Sequence, residues 1–389
     1  MSFFKMCTWR EFIARFAMVC GLTTSLIAAA QQIPAEAPSN PANRAPLVIS
    51  KQGSFFYGGQ TITGPGAFDP SNLVKNAGDI FSVDSSYAFF QIPVDTRRLP
   101  IVMWHGGGQT GKTYEDFEGR DNYQSILLRR GWNVYTIDAS RRGKAGVNSF
   151  TGPLGTLLGK QVGPPITIRY GIRAGFLAFR LGNWPDSGPS YFADVQFPRT
   201  EYALEQLAAQ TIAFYPEDGD IPGNGAAQVP LFNKIGPSVL VTHSSSGGPG
   251  WYSAMGSANI RAIVCYEPGP NPKLFVFPEG EPGPPGTAIV PLSDFLKLTK
   301  IPIQIVYGDN MPKVGGNQFQ QLWRKTVDTA RSFAAAINRH GGDAQVLELP
   351  EAGLRGNTHF PFADLNNEAV ADILSKYLHS KGLDTRGGT

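Results

Sequence analysis

The stretch Pro237–Gly250, PSVLVTHSSSGGPG, constrains this chain more than any other. Its apolar, β-branched run Val239-Leu240-Val241 reads as a buried strand, and Gly247-Gly248-Pro249-Gly250 opens a segment of helical character. Between them lie only small residues. A strand that turns sharply into a helix can expose a nucleophilic serine, and the strained backbone then requires small residues two before and two after it. Centred on Ser244, those positions are Thr242 and Ser246; centred on Ser246, they are Ser244 and Gly248. Ser244 is preferred, because the apolar run ends at Val241, about two residues before the turn must begin. A serine- and glycine-rich loop with no catalytic meaning is the other reading of the same letters.

Around this stretch, strands and helices alternate. Strands are expected near GSFFYGG at Gly53, at Tyr87–Ile92, Leu99–Trp104 and Asn133–Ile137, and then at Val239, Ala262–Tyr266, Ile303–Tyr307 and Gln345–Leu349. Helical periodicity marks Asn317–Asn338 and Asn367–Ser380. Such alternation predicts an α/β fold with a mostly parallel, doubly wound sheet and helices on both faces. Two segments break the pattern and are expected to be insertions, one at about 147–228 and one at about 270–293. The first is rich in aromatic residues (Phe150, Tyr170, Phe176, Phe179, Trp184, Tyr191, Phe192) and would form either a cap over a pocket or a small satellite core.

The N-terminal segment 1–30 has a basic lead (Lys5, Arg10, Arg15), an apolar run from Phe16 and an Ala28-Ala29-Ala30 exit. That is the pattern of a cleavable secretory signal, and the run is shorter than the roughly 20 residues of a spanning helix. Secretion or delivery to a periplasm is therefore expected, with no stable membrane anchor. A Pro/Ala/Asn-rich flexible leader at 31–46 precedes the domain expected over 47–389. Cleavage would leave a nearly neutral protein, which provides no electrostatic case for nucleic acid. It would also remove Cys7 and Cys20, leaving Cys265 without an intrachain partner.

Residues Gly106–Thr113, GGGQTGKT, match the phosphate-loop pattern letter for letter, with Asp138 as a possible magnesium-binding aspartate after the next strand. A phosphate loop opens directly into a helix whose N-terminus meets the phosphates. Here the acidic, glycine-broken segment YEDFEGRDN comes next instead, and export would remove the protein from ATP. The competing reading takes His105-Gly106-Gly107-Gly108 as a loop whose backbone amides receive an oxyanion. That assigns Gly107, with Gly108 as a possible alternative, together with the amide of Ser245.

The chain has five histidines. His105 and His243 precede the candidate nucleophile, whereas the base of a serine hydrolase on a doubly wound sheet comes last in chain order. His340 and His379 belong to helices or helix ends. His359 lies on the glycine-rich loop GLRGNTHF after the last strand and is the preferred base. Two carboxylates could orient it: Glu267, at the end of the strand Ala262–Tyr266, and Asp309, at the end of Ile303–Tyr307. Position favours Glu267.

With strand, elbow, acid and histidine in this order, the chain resembles the α/β-hydrolase superfamily. More narrowly, it looks like a small group of atypical bacterial esterases, through HGGGQTG, IDASRRGKAG, THSSSGG, CYEPG, YGDN and GNTHF. In that group the elbow lacks both glycines and the acid is a glutamate one strand early. Applied residue by residue, the resemblance implies Ser244 as nucleophile, Glu267 as acid, His359 as base and the amides of Gly107 and Ser245 as oxyanion donors. It also implies a cap insertion. Gly107 and Gly108 stand where an esterase of that group has two adjacent cysteines, so no vicinal disulfide can form and a more flexible oxyanion loop is expected.

These readings converge on an exported serine hydrolase that cleaves small-molecule carboxylic esters carrying an apolar group, through an acyl-enzyme and without metal or organic cofactor. A phosphate-loop nucleotide hydrolase and a non-catalytic binding protein on the same fold are the alternatives.

Overall fold

Among the described residues, eight strands form the central sheet. In chain order they are β1 (Ile49–Tyr57), β2 (Ser86–Pro93), β3 (Ile101–Trp104), β4 (Val134–Asp138), β5 (Ser238–His243), β6 (Ile260–Tyr266), β7 (Pro302–Tyr307) and β8 (Asp343–Glu348). They lie side by side as β1-β2-β4-β3-β5-β6-β7-β8. β2 is antiparallel to both its neighbours, and the other pairings are parallel. The computed structural model describes residues 45–75, 77–146, 171–212 and 220–387, all within the unit Asn40–Thr389. The expected signal (1–30) and nearly all of the leader (31–46) lie outside the described residues.

The helices are α1 (Tyr123–Arg129), α2 (Ile172–Ala178), α3 (Glu201–Ala209), α4 (Ile221–Ala226), α5 (Val229–Ile235), α6 (Gly247–Gly256), α7 (Leu292–Leu298), α8 (Gln318–Arg339) and α9 (Asn367–Ser380). Successive side chains of a strand point to opposite faces, so a strand covered on both faces must be apolar throughout. β5 shows this: Leu240 joins one core with Trp251, Phe295 and Phe333, while Val239 and Val241 join the other with Tyr123, Phe360 and Leu374. Each such aliphatic side chain stabilises the fold by about 1.5–3 kcal/mol through burial. The doubly wound, mostly parallel sheet expected from the alternation is the fold observed.

The long helix α8 begins where Asn317 accepts hydrogen bonds from the amides of Phe319 and Gln320, while the Gln320 side chain accepts from Asn317 N. Removing such a cap costs about 1 kcal/mol. It stops at His340, before Gly341 at φ 80°. β5 runs through Thr242 and His243, beyond the apolar run, because both residues pair with β6 and are fully buried.

Between β4 and β5 the described residues hold α2 to α5 and the short ribbon Gly182–Asn183/Ser190–Tyr191. The aromatics here divide. Phe176 packs edge-on against Trp184 and Tyr191 and joins the core on one face of the central sheet, whereas Phe179 stacks on His359. Phe150 and Tyr170 lie outside the described residues. The segment between β6 and β7 contains a small parallel pair, Val276–Pro278 with Ala288–Val290. Among the described residues, no helix is long and apolar enough to cross a membrane.

Candidate active site

Register brings the carboxyl ends of the middle strands level. Trp104 pairs with Thr242, and Tyr266 pairs with both His243 and Val306. The next residues, His105, Ser244, Glu267 and Tyr307-Gly308, therefore leave the sheet side by side, at the edge where open α/β sheets build their sites.

Ser244 comes directly after β5 and has φ 56°, in the left-handed region that L-residues occupy only when surroundings over-determine them. Ser246, by contrast, is spent inside the turn. Its Oγ accepts from His243 N at 2.9 Å and lies 3.1 Å from the Trp104 carbonyl, and the residue is 3% exposed. Ser244 lines the adjacent cavity of about 660 Å³ from a half-buried position, which makes it the better placed of the two serines to meet a substrate. Ser245 and Gly107 line the same cavity.

The loop of Gly107 packs directly on the serine turn. A methyl group on Gly106 would fall 2.9 Å from both Ser244 Cβ and His243 Nδ1, so only glycine permits this approach. Gly106 N donates to Gln109 Oε1 at 3.2 Å, and Gly108 O accepts from Ile212 N at 2.7 Å. His105 accepts from Ala139 N through Nε2 at 3.1 Å and serves the loop's own structure.

His359 is buried, on the loop after β8. Its Nδ1 lies 3.2 Å from Glu267 Oε2. Its ring stacks on Phe179 with centroids 5.2 Å apart and an interplanar angle of 6°, and Trp323 packs against it at 4.7 Å. The backbone is held too: His359 N donates to Phe179 O at 3.1 Å, and the His243 Nε2 lies 2.8 Å from His359 O. Burial pulls the His359 imidazole below its ordinary value, against the opposing effect of Glu267. The ring is therefore neutral at neutral pH and can accept a proton.

Glu267 is fully buried at the end of β6, with φ 51°. One oxygen faces His359; the other receives Arg180 Nη2 at 2.6 Å and the amide of Gly308. Burial pushes its carboxyl up, but Arg180 and His359 together outweigh that and hold it below the usual range. Asp309, the alternative acid, does not meet the imidazole. Its Oδ2 accepts from Gly356 N at 2.9 Å and its Oδ1 from Asn310 N at 2.7 Å, so it braces the histidine loop. Asp364 braces the same loop, accepting from Thr358 N at 2.7 Å and Thr358 Oγ1 at 2.8 Å.

The phosphate-loop alternative fails on local geometry. Gly111–Tyr114 forms a single short 3₁₀ turn rather than a helix, and Thr113 is fully buried with its hydroxyl on Gln109. Lys112 pairs with Glu115 at 3.2 Å. Asp138 is occupied by the amides of Gly111 and Lys144 at 2.7 and 2.9 Å. A loop that does not lead into a helix lacks the aligned amides that a polyphosphate requires. Among the described residues, no cluster of three or more His, Cys, Asp or Glu side chains could hold a metal ion.

No protein-family model matches the chain. A structure described as that of a novel bacterial esterase, solved at atomic resolution, is 30% identical to it, with a TM-score of 0.68 over 88% of this chain and 99% of that one. The chain belongs to the α/β-hydrolase superfamily. Within it, the resemblance is to atypical bacterial esterases. By sequence it is also similar to the probable secreted lipase phiG of Fungal sp. (strain ATCC 74256), 25% identical over 347 residues, which are 77% of this chain and 89% of that one.

Of the candidate residues of this α/β-hydrolase, Ser244, Ser245, Gly107 and His359 line one cavity and Glu267 meets His359, but no signal in the sequence pointed to what surrounds them. Arg180, Phe179 and Trp323 contact the Glu267–His359 pair from the end of α2 and from α8. Trp323 carries the periodic signal of a helix and reads as core; Arg180 lies in a segment with no periodicity to mark it.

Proposed function

We propose that this α/β-hydrolase is an exported serine hydrolase that cleaves carboxylic esters through an acyl-enzyme. The observation that carries the reading is the hydrogen-bonded Glu267–His359 pair opening on the same cavity as the left-handed Ser244. His359, with its Nδ1 proton directed to Glu267, takes the proton of Ser244 as the hydroxyl attacks the ester carbonyl. The amides of Gly107 and Ser245 hold the oxyanion; one such donor contributes roughly 3 kcal/mol to the transition state. His359 then protonates the leaving alcohol, and water activated by the same ring releases the acid.

Ile221, Leu274, Phe319, Leu322 and Trp323 line the cavity, which supports esters with an apolar group as substrates. The segment between β4 and β5 supplies Phe179 and Ile221 to that wall and acts as a cap. The basic and apolar pattern of residues 1–30 supports export, as does the secreted lipase among the relatives.

The test is to incubate the protein with a fluorophosphonate and map the adduct by peptide mass spectrometry, with Ser244→Ala as control. An adduct on Ser244 is expected. An adduct on Ser246 moves the nucleophile by two residues, and folded protein that takes no adduct overturns the reading.

A further inference from the structure

The cap segment reaches the acid itself. Arg180 and Glu267 are both completely buried and paired at 2.6 Å, and Arg180 Nε donates to Asp309 O at 2.9 Å. Its guanidinium lies 4.8 Å from the Trp323 ring, and Trp323 Nε1 donates to Ala178 O at 2.7 Å. Three consecutive residues at the end of α2 therefore hold three different parts of the site: Ala178 fixes Trp323, Phe179 carries the imidazole face and the His359 amide, and Arg180 carries the Glu267 carboxylate.

Two features argue against a bystander role. Arg180 has φ 62°, an uncommon conformation for a long side chain, and it persists beside the strained Ser244 and Glu267. A fully buried ion pair is also a poor source of stability compared with apolar residues of the same volume. A strained and desolvated pair therefore calls for a reason other than stability.

Resting on the serine-hydrolase reading, we infer that Arg180 is a positioning residue for the reaction. It holds the Glu267 carboxylate so that one oxygen is reserved for His359, and it thereby makes the acid depend on the seating of the cap. Glu267 Oε1 is taken by Arg180 and Gly308 N, which leaves Oε2 for His359 Nδ1. Without the guanidinium, burial drives Glu267 towards its neutral form, and a neutral carboxyl no longer stabilises the imidazolium. The other groups facing this pair are His359, Tyr307, Cys265 and Asp364, with the Asp309 carbonyl on the guanidinium.

The experiment compares full-length Arg180→Met, Arg180→Lys and wild type, each normalised to its fluorophosphonate-reactive sites so that unfolded protein does not count. Arg180→Met is expected to lose about 100-fold in kcat on an activated ester, with little change in KM. The acid limb of its kcat/KM profile is expected to move to higher pH. That direction follows from a Glu267 that ionises later, because the active form needs its carboxylate. Arg180→Lys, which keeps the cation, restores most of the rate and returns the limb towards wild type.

A Met variant whose titrated sites turn over normally, or whose rate falls without movement of the limb, overturns the inference in favour of a structural role. If Arg180→Met yields no titratable protein, Arg180→Gln decides by the same readings: titrated sites that turn over about 100-fold more slowly with the limb displaced upwards support the inference, and titrated sites that turn over normally overturn it. Wild-type labelling at Ser244 tests the serine-hydrolase reading separately, so failure of one is distinguishable from failure of the other.

Discussion

Replacing Glu267 by Gln keeps the side chain's size and removes its charge. Its carboxylate meets His359 at 3.2 Å and Arg180 at 2.6 Å, with no exposure to water that could supply a substitute. Neutralising the acid of a serine triad lowers kcat by roughly 10³–10⁴-fold, or about 4–5.5 kcal/mol. The same change strands the buried Arg180 without an anion, and breaking a buried pair costs about 3–5 kcal/mol. A glutamine oxygen that still accepts from Arg180 keeps the loss near the lower end of that range.

Asp309→Asn is the matched control. It forfeits the acceptor at Gly356 N and costs about 1–2 kcal/mol of stability. Its kcat falls by less than about tenfold, because the imidazole is not its partner. The assay is kcat on an activated ester, normalised to fluorophosphonate-reactive sites, beside a thermal melt of each variant. Equal losses in the two variants, or the larger loss in Asp309→Asn, would refute Glu267 as the acid.

The same geometry sets other outcomes. Because burial lowers the His359 value, the acid limb of kcat/KM should have its midpoint below the ordinary histidine value of about 6.5, and a midpoint above it contradicts the neutral buried ring. The depressed His359 and Glu267 values contribute stability that is present above their unfolded values and lost as pH falls through the folded ones, so the melting temperature should decline on acidification. Ser244→Gly should abolish labelling yet stabilise the fold by up to about 1 kcal/mol, since glycine accepts φ 56° without strain; a clear destabilisation would mean the turn is not strained. Ser246→Ala should cost about 1–2 kcal/mol by uncapping the turn while leaving the adduct on Ser244, as melting and mass spectrometry would show. A methyl at Gly269 would sit 3.5 Å from Leu274 Cδ1 and 3.6 Å from Ser244 Oγ, so Gly269→Ala should fold normally and lower kcat/KM more for bulky than for small esters.

Much of the site was legible because each group sits where a strand ends. Val239–Val241 before the serines, Ile263–Tyr266 before Glu267 and Ile303–Tyr307 before Asp309 are runs whose apolar periodicity stops abruptly. The residues just past such a stop gather at the carboxyl edge of the parallel sheet. Letters alone misled at Gly106–Thr113, where a phosphate-loop string forms a different structure because it leads into a 3₁₀ turn and not a helix. The antiparallel course of β2 was also invisible, since a strand's direction leaves no mark on its composition.

Local chemistry along the chain thus determined the order of strands and helices and the serine-rich turn after Val241, because each depends on neighbours within a few residues. Only the tertiary structure shows that Glu267 meets the imidazole while Asp309 does not, and that Ser246 is bonded inside the turn while Ser244 lines the cavity. It alone brought Arg180, Phe179 and Trp323 to the acid and the imidazole. The physical reason is that these choices turn on desolvated contacts between residues far apart in sequence. Such contacts depend on register and packing, which no short stretch of residues encodes by itself.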